Sequence, residues 1–363
     1  MLIQGLVFAA GLAALVLGAS ALVRGASKLA LSFGISPLVV GLTIVAFGTS
    51  APEMAVSAGA VLDGQTDIAV GNVVGSNIFN VLFILGLSAL VAPLLVNVQL
   101  IRQEVPIMIG AALLLLVLGR DGSISMSDGA LLMVLMVGYT VFLIVQSRRE
   151  SASNTTEFDA ELKPAAPEAW DARWPAQVAL IAAGLVLLVV GSDALVSASV
   201  VFAKALGVSD LVIGLTIVAA GTSMPEAATS LAAAFKGERD IAVGNVVGSN
   251  TFNILGCLGL SGLISGSGGL TLAPSILAFD IWVMLAALLA CPPVFLSQRE
   301  IARWQGGVFL AYYVAYVAYL IMASQHHDTL PAFSSVMLGF VVPLTVVTLA
   351  VSLMRNKPRS LHP

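Results

Sequence analysis

The sequence predicts an all-α polytopic membrane protein: two inverted-topology five-helix repeats forming a ten-span core, plus one extra C-terminal transmembrane helix. Three observations predict it: an apolar composition, a long internal repeat and a lopsided distribution of basic residues. The 363 residues are 58% hydrophobic and only 10% charged, with a mean hydropathy of +1.01. Soluble domains carry about 25% charged residues, so this chain has too few to cover a water-facing surface. The lipid bilayer is therefore its first partner. The net charge of −4 is small and no basic tract is present, which argues against a nucleic-acid partner. Cys257 and Cys291 both lie in apolar runs and read as small hydrophobes rather than as a disulfide or metal site.

The repeat is long. Gly41–Ser88 returns 173 residues downstream as Gly214–Ser261, with 33 of the 48 positions identical. The matches include residues that apolar patterning does not require: Thr49-Ser50 with Thr222-Ser223, and Pro52-Glu53 with Pro225-Glu226. The run from Asp67 to Asn77 recurs unchanged from Asp240 to Asn250. A duplicated acid beside a duplicated proline in apolar sequence points to a transport site at a repeat interface.

A helix crossing about 30 Å of hydrocarbon needs about 20 apolar residues. Eleven segments qualify, at 2–22, 37–62, 70–91, 105–119, 128–146, 176–198, 210–235, 242–264, 276–297, 305–324 and 333–354. The first lacks the basic flank of a signal peptide and is read as a retained span. With the N-terminus outside, the inner loops and tail hold 14 basic residues, Arg24, Lys28 and Arg102 among them, and the outer loops only Arg120 and Lys204. That bias sets the N-terminus outside and the C-terminus in the cytoplasm. The two repeat copies begin five spans apart, an odd number, so they cross the membrane in opposite directions. The chain divides into a first five-helix repeat (1–146, with its ion-binding segment at 41–88), a polar cytoplasmic linker (147–174), a second repeat (175–324, with 214–261), and the extra helix with a basic tail (325–363). The extra helix has no counterpart in the five-plus-five plan and is expected at the periphery.

The chemistry lies in the repeated segment. Pro52 and Pro225 donate no backbone hydrogen bond and so free the carbonyls of Gly48 and Gly221. In lipid such groups are tolerated only beside a cavity or an ion. Each copy thus offers free carbonyls, a threonine hydroxyl (Thr49, Thr222), a serine hydroxyl (Ser50, Ser223) and a carboxylate (Glu53, Glu226) within one turn. These hard oxygens suit Ca²⁺ and Na⁺ rather than thiophilic metals. Asn72, Ser76 and Asn80 draw a polar stripe on the third span, and Asn245, Ser249 and Asn253 draw its copy on the eighth. An intramembrane carboxylate costs about 2.5 kcal/mol or more and is a functional hypothesis by default. Asp67 and Asp240 read as helix caps or dipole partners. Asp193 and Asp280 lie in spans without a counterpart in the other half and read as structural, and Gly71, Gly75, Gly244 and Gly248 as packing glycines.

At these residues the chain resembles the bacterial-type sodium/calcium exchangers of the calcium/cation antiporter superfamily. The carriers are Gly48–Glu53 with Gly71–Asn80, and their copies Gly221–Glu226 with Gly244–Asn253, the family's two α-repeats. The resemblance implies a diamond of ion sites. Glu53 and Glu226 are then shared by Ca²⁺ and Na⁺, and Thr49 and Thr222 coordinate Ca²⁺ through their carbonyls. Ser50, Ser76, Ser223, Ser249 and the carbonyls of Ala46 and Ala219 serve Na⁺, with Asn80 and Asn253 at the middle. Some members, including potassium-dependent ones, carry Asp where this chain has Asn253, which argues against K⁺ co-transport.

The expectation is a plasma-membrane (bacterial inner-membrane) antiporter, functional as a monomer, in which Na⁺ and Ca²⁺ compete for two glutamates. The alternative is a H⁺/Ca²⁺ antiporter using the same glutamates as proton carriers. No cofactor is expected beyond the transported ions. No HExxH, phosphate loop or Ser/Lys nucleophile pairing suggests an enzyme, and two glutamates do not make the ring of charge common in cation pores.

Overall fold

The computed structural model describes residues 1–33, 35–153, 171, 173–206, 219–296, 299–325 and 327–355. Among them, nine helices are long and apolar enough to cross a membrane, or ten if one bent pair counts as a single span. They are α1 (Leu2–Phe33), the bent pair α2 (Pro37–Thr49) and α3 (Ala51–Leu62), α4 (Thr66–Val91), α5 (Leu100–Asp121), α6 (Met126–Ser147), α7 (Trp174–Ala205), α9 (Arg239–Ile264), α10 (Ile276–Leu296), α11 (Arg303–Ser324) and α12 (Leu330–Val351). The shorter α8 (Met224–Lys236) follows a single turn, Ala219–Gly221. The first part of the expected seventh span lies outside the described residues, as do 154–170 of the linker and the basic tail beyond 355.

Local chemistry sets the helix ends. Pro52, Pro175 and Pro225 sit in the first turn of α3, α7 and α8, where a missing N–H leaves no bond unmade. Gly64 (φ +76°) and Gly237 (φ +81°) turn the chain after α3 and α8, a left-handed conformation that favours glycine. This explains one identity of the repeat that apolar patterning left without a reason.

Several expectations need correction. The first span does not end at 22: α1 runs 32 residues to Phe33, about 48 Å at 1.5 Å per residue. Arg24 and Lys28 therefore lie within its helical extension rather than in a loop. Likewise α5 begins at Leu100 and carries Arg102 in its first turn, and the fifth helix continues to Ser153 into the expected linker. Asp67 and Asp240 are not caps; those positions are Gln65 and Glu238, and both aspartates lie in the first helical turn, where a negative charge complements the helix dipole. Asp193 lies within α7, as expected, and is exposed there.

The inverted repeat is visible in the strands. Two-residue strands β1 (Leu94–Leu95), β2 (Ser123–Ile124), β3 (Leu270–Thr271) and β4 (Glu300–Ile301) pair antiparallel as β1 with β4 and β2 with β3. β1 and β3 follow α4 and α9, while β2 and β4 precede the fifth helix of their halves, α6 and α11. Each pair therefore joins a loop of one half to the opposite loop of the other. The halves also interlock through their cores: α9 is buried along its whole apolar window and α4 along most of it, whereas α12 buries none. α12 lies against α11, where Tyr312 Oη donates to Thr345 Oγ1 (2.6 Å).

A second duplication did not show at the offset of 173. Glu104, placed in a loop by the span map, is fully buried in α5 and accepts from Tyr139 Oη of α6 (2.8 Å). Asp280 of α10 accepts from Tyr316 Oη of α11, also at 2.8 Å. Loop-length differences move the offset to 176 for the acids and 177 for the tyrosines, so Asp280 does have a counterpart.

α1 and α7 cross the molecule as a closely packed antiparallel pair. A Cβ on Gly11, Gly18 or Gly25 would lie 2.8–2.9 Å from backbone atoms around Gly191, Gly184 and Gln177. Small residues let backbones approach this closely where no hydrophobic effect drives helices together. Beside this pair, Asp171 accepts from Arg24 Nε (2.6 Å) and from Lys28. Lys28, then Arg24, holds the Asp171 carboxyl below its usual range; the tie is present at neutral pH and is lost as pH falls through that lowered value. Of the packing glycines, Gly244 and Gly248 fit tightly, with Cβ positions 3.1 Å from Leu38 O and 2.8 Å from Leu42 O. The segment that mirrors this contact for Gly71 and Gly75 lies outside the described residues.

Gly18→Leu is expected to destabilise the protein by about 1–3 kcal/mol through overpacking, read as a lower midpoint in thermal unfolding in detergent; Gly5→Leu, where no neighbour lies within 4 Å of the added Cβ, is expected to leave it unchanged.

Candidate functional site

The site is built where two broken helices meet two continuous ones. The path from α2 to α3 bends by 41° at Ser50 (φ −83°, ψ 4°), and the chain entering α8 breaks identically at Ser223 (φ −89°, ψ 9°). Both lie in the sparsely allowed bridge region. Across each break, α4 and α9 contribute the polar stripes. α4 takes a π-helical turn at Phe79–Leu85 and α9 one at Asn253–Cys257, the wider winding often found at functional sites.

Glu53, Glu226, Thr49, Ser50, Ser223, Ser249, Asn80 and Asn253 are fully buried, and Ser76 nearly so. Thr222 is half-buried, Ala46 is buried, and Ala219 opens the single turn before the second break. Their hydrogen bonds cross between the halves. Ser50 Oγ donates to Glu226 Oε1 (2.9 Å) and Ser223 Oγ to Glu53 Oε1 (2.8 Å). The Thr49 hydroxyl lies 3.2 Å from Asn245 Oδ1, and that of Thr222 3.3 Å from Asn72 Oδ1. Asn72 Nδ2 donates to the Glu53 carbonyl (3.3 Å) and Ser57 Oγ (3.0 Å); Asn245 Nδ2 donates to the Glu226 carbonyl (3.4 Å) and Ser230 Oγ (2.9 Å). Every one of these contacts maps onto its partner by the offset of 173.

Asn72 and Asn245 do not stand with the rest of their stripes around a chamber; each clamps the start of a broken helix to its neighbour. The duplicated Ser57 and Ser230, one turn beyond each glutamate, are their partners, and their identity in the repeat was the available signal. The Gly221 carbonyl is also not free, because Ser192 Oγ of α7 donates to it (2.6 Å). The Ala46 carbonyl accepts from Ser50 N–H (3.0 Å) and is approached by Thr49 Oγ1 (3.4 Å).

What remains unpartnered is informative. Glu53 Oε2, Glu226 Oε2, Asn80 Oδ1 and Ser249 Oγ are buried without a hydrogen-bond partner among the described residues. Buried polar atoms in folded proteins rarely lack one. Oxygens of two carboxylates, an amide and a hydroxyl fit a hard cation that takes several oxygen ligands.

The comparisons with known proteins agree with this geometry. The family profile described as "Sodium/calcium exchanger protein" matches residues 3–145 and 176–322, both halves of the repeat. The chain belongs to the sodium/calcium exchanger family. It is similar to the sodium/calcium exchanger MaX1 of Methanosarcina acetivorans, 34% identical over 87% of this chain and 97% of that one. It is also similar to the inner membrane protein YrbG of Escherichia coli, 40% identical over 73% and 81%. Among solved structures it resembles the sodium-calcium exchanger NCX_Mj, with 31% identity, coverage of 88% and 98%, and a TM-score of 0.73. This family member is thus an integral membrane cation/Ca²⁺ antiporter and not an enzyme; the ions are its substrates.

Because the two crossed Ser–Glu bonds are equivalent, Ser50→Ala and Ser223→Ala are each expected to raise the apparent KM for Ca²⁺ by about tenfold, the worth of one hydrogen bond to a charged group at its weak end, in radioactive Ca²⁺ uptake by proteoliposomes.

Proposed function

We propose that this exchanger couples Na⁺ to Ca²⁺ by letting both compete for Glu53 and Glu226 at the membrane centre, without K⁺. The observation that carries the reading is the pair of buried carboxylates, each held through one oxygen by a serine of the opposite half and each with its second oxygen unpartnered among the described residues. Two isolated anions in the membrane interior are costly. One Ca²⁺ or two Na⁺ neutralise them, so either species satisfies the site and neither shares it with the other. That exclusion is the coupling. Thr49, Ser50, Ser76 and Asn80, with Thr222, Ser223, Ser249 and Asn253, supply the remaining oxygens, together with the carbonyls of Ala46 and Ala219. All are neutral, and among the described residues no third acid in the site calls for a further cation.

The inverted repeat supports alternating access, with each half bearing one glutamate and one broken helix. The orientation with the N-terminus outside and the C-terminus in the cytoplasm is supported by the basic residues and by the contacts of Arg24 and Lys28 with Asp171 at the linker end of the molecule. Each half completes the other's site within one chain, which supports a functional monomer.

Glu53→Gln and Glu226→Gln are each expected to abolish Na⁺-driven Ca²⁺ uptake in proteoliposomes while leaving the protein folded. Uptake should follow an imposed Na⁺ gradient and be indifferent to K⁺. Ca²⁺ uptake driven by a pH gradient without Na⁺ would instead assign the glutamates to proton carriage.

A further inference from the structure

The hydrogen bonds nearest Glu53 and Glu226 are symmetric, but the next ones outward are not. Asn80 Nδ2 of α4 donates to Asn250 Oδ1 of α9 (3.1 Å), and Asn250 Nδ2 lies 3.6 Å from the sulfur of Met108 on α5. The offset of 173 turns Asn80 into Asn253 and Asn250 into Asn77. The offset of 176, which carries β1 onto β3, turns Met108 into Met284, fully buried on α10. This mirror chain is not made. Asn77 is fully buried with both Oδ1 and Nδ2 unpartnered among the described residues, and Asn253 Nδ2 is likewise unpartnered. The hydroxyls repeat the asymmetry: Ser223 Oγ bonds Ser76 Oγ (3.1 Å), whereas Ser249 Oγ, which stands to Ser50 as Ser76 does to Ser223, has no partner among the described residues.

A buried side-chain amide with neither of its polar atoms bonded is rare and calls for a reason. An inverted repeat supplies one, because the inward- and outward-facing states exchange the geometries of its halves. A contact made in one half here belongs to the other half in the opposite state.

We propose that Asn250 and Asn77 are positioning residues that dock the site amides Asn80 and Asn253 in alternation: Asn80–Asn250–Met108 in the conformation described, and Asn253–Asn77–Met284 in the oppositely facing one. The orphaned Asn77 is the unmade half of that exchange. Docking turns the Asn80 amide N–H toward Asn250 and leaves its Oδ1 free for a cation. Asn250 and Asn77 thus bias which face the site serves without touching the ion. This inference rests on the antiport reading, since it requires two faces served in turn.

The test is Ca²⁺ self-exchange, which needs no Na⁺, with the apparent KM measured separately at the two faces in right-side-out and inside-out vesicles. Removing a contact present in only one state shifts the population toward the other. Asn250→Ala should raise the apparent KM at one face and lower it at the other, each by about twofold to tenfold, the range carried by one net hydrogen bond. Asn77→Ala should give the reverse pattern, and the double variant should return both faces toward the original values. Should the asparagine variants fail to fold, Met108→Leu and Met284→Leu remove only the sulfur and should give smaller shifts of the same opposed signs. Shifts of the same sign at both faces, or none, would overturn the alternation and leave the antiport reading standing. Absence of Ca²⁺ self-exchange in the unsubstituted protein would overturn the antiport reading, and this inference with it.

Discussion

Two carboxylates buried in a membrane impose a constraint that much of the molecule answers. Among the described residues neither Glu53 nor Glu226 forms an ion pair; each has a serine from the opposite half, an asparagine bracing its backbone, and a break in its own helix. Hydrogen bonds of this kind relieve part of the cost of a buried charge but do not cancel it. On the proposed reading, the protein therefore keeps a standing affinity for cations at its centre. It keeps that affinity balanced, because each half stabilises the other's acid in the same way. On the same reading, a lysine or arginine here would satisfy the carboxylates permanently and end transport.

The same economy appears in the backbone. Interrupting a helix in lipid leaves carbonyls and N–H groups that water cannot reach. At the breaks these groups are taken up locally: Ser192 binds the Gly221 carbonyl, and Asn72 and Asn245 bind the carbonyls of the glutamates themselves. The π-helical turns in α4 and α9 fall where Asn80 and Asn253 must face inward, and α5–α6 and α10–α11, each joined by a carboxylate–tyrosine bond, pack behind them.

Much of this was legible in the sequence. The duplication at a constant offset, the odd number of spans between its copies and the proline beside each glutamate point to the right fold and to the residues that assemble around the site. What the sequence hid, it hid for physical reasons. Helix ends were placed at the edges of apolar runs, yet α1 and α5 continue through Arg24, Lys28 and Arg102, because helical hydrogen bonds do not stop where hydrophobicity does. Glu104 and Asp280 escaped as a pair because one acid is a methylene longer and the loops between differ by three residues, so a fixed offset misses them. Asn72 looks identical in kind to Asn80 along the stripe; only the third dimension separates a clamp from a ligand candidate. Asn77 and Asn250 lay in the most faithfully repeated run of all, but their unequal bonding is a property of one conformation and no sequence carries it.

The crossed bonds also fix an order of events during synthesis. Ser50 finds Glu226 at 176 residues' distance and Thr49 finds Asn245 at 196, while β1 waits for β4 and β2 for β3. When the first five spans leave the ribosome, Glu53 and Asn80 are already in the membrane without Ser223 and Asn250, and Asn72 has Ser57 but not Thr222. The nascent half must stay in a polar refuge, among water, lipid headgroups or the insertion machinery, until residues 174–324 follow. Such long-range closure is intrinsically slow, so a chain truncated after its first repeat exposes an unpaired acid in lipid and offers the cell's quality control a target rather than a smaller transporter.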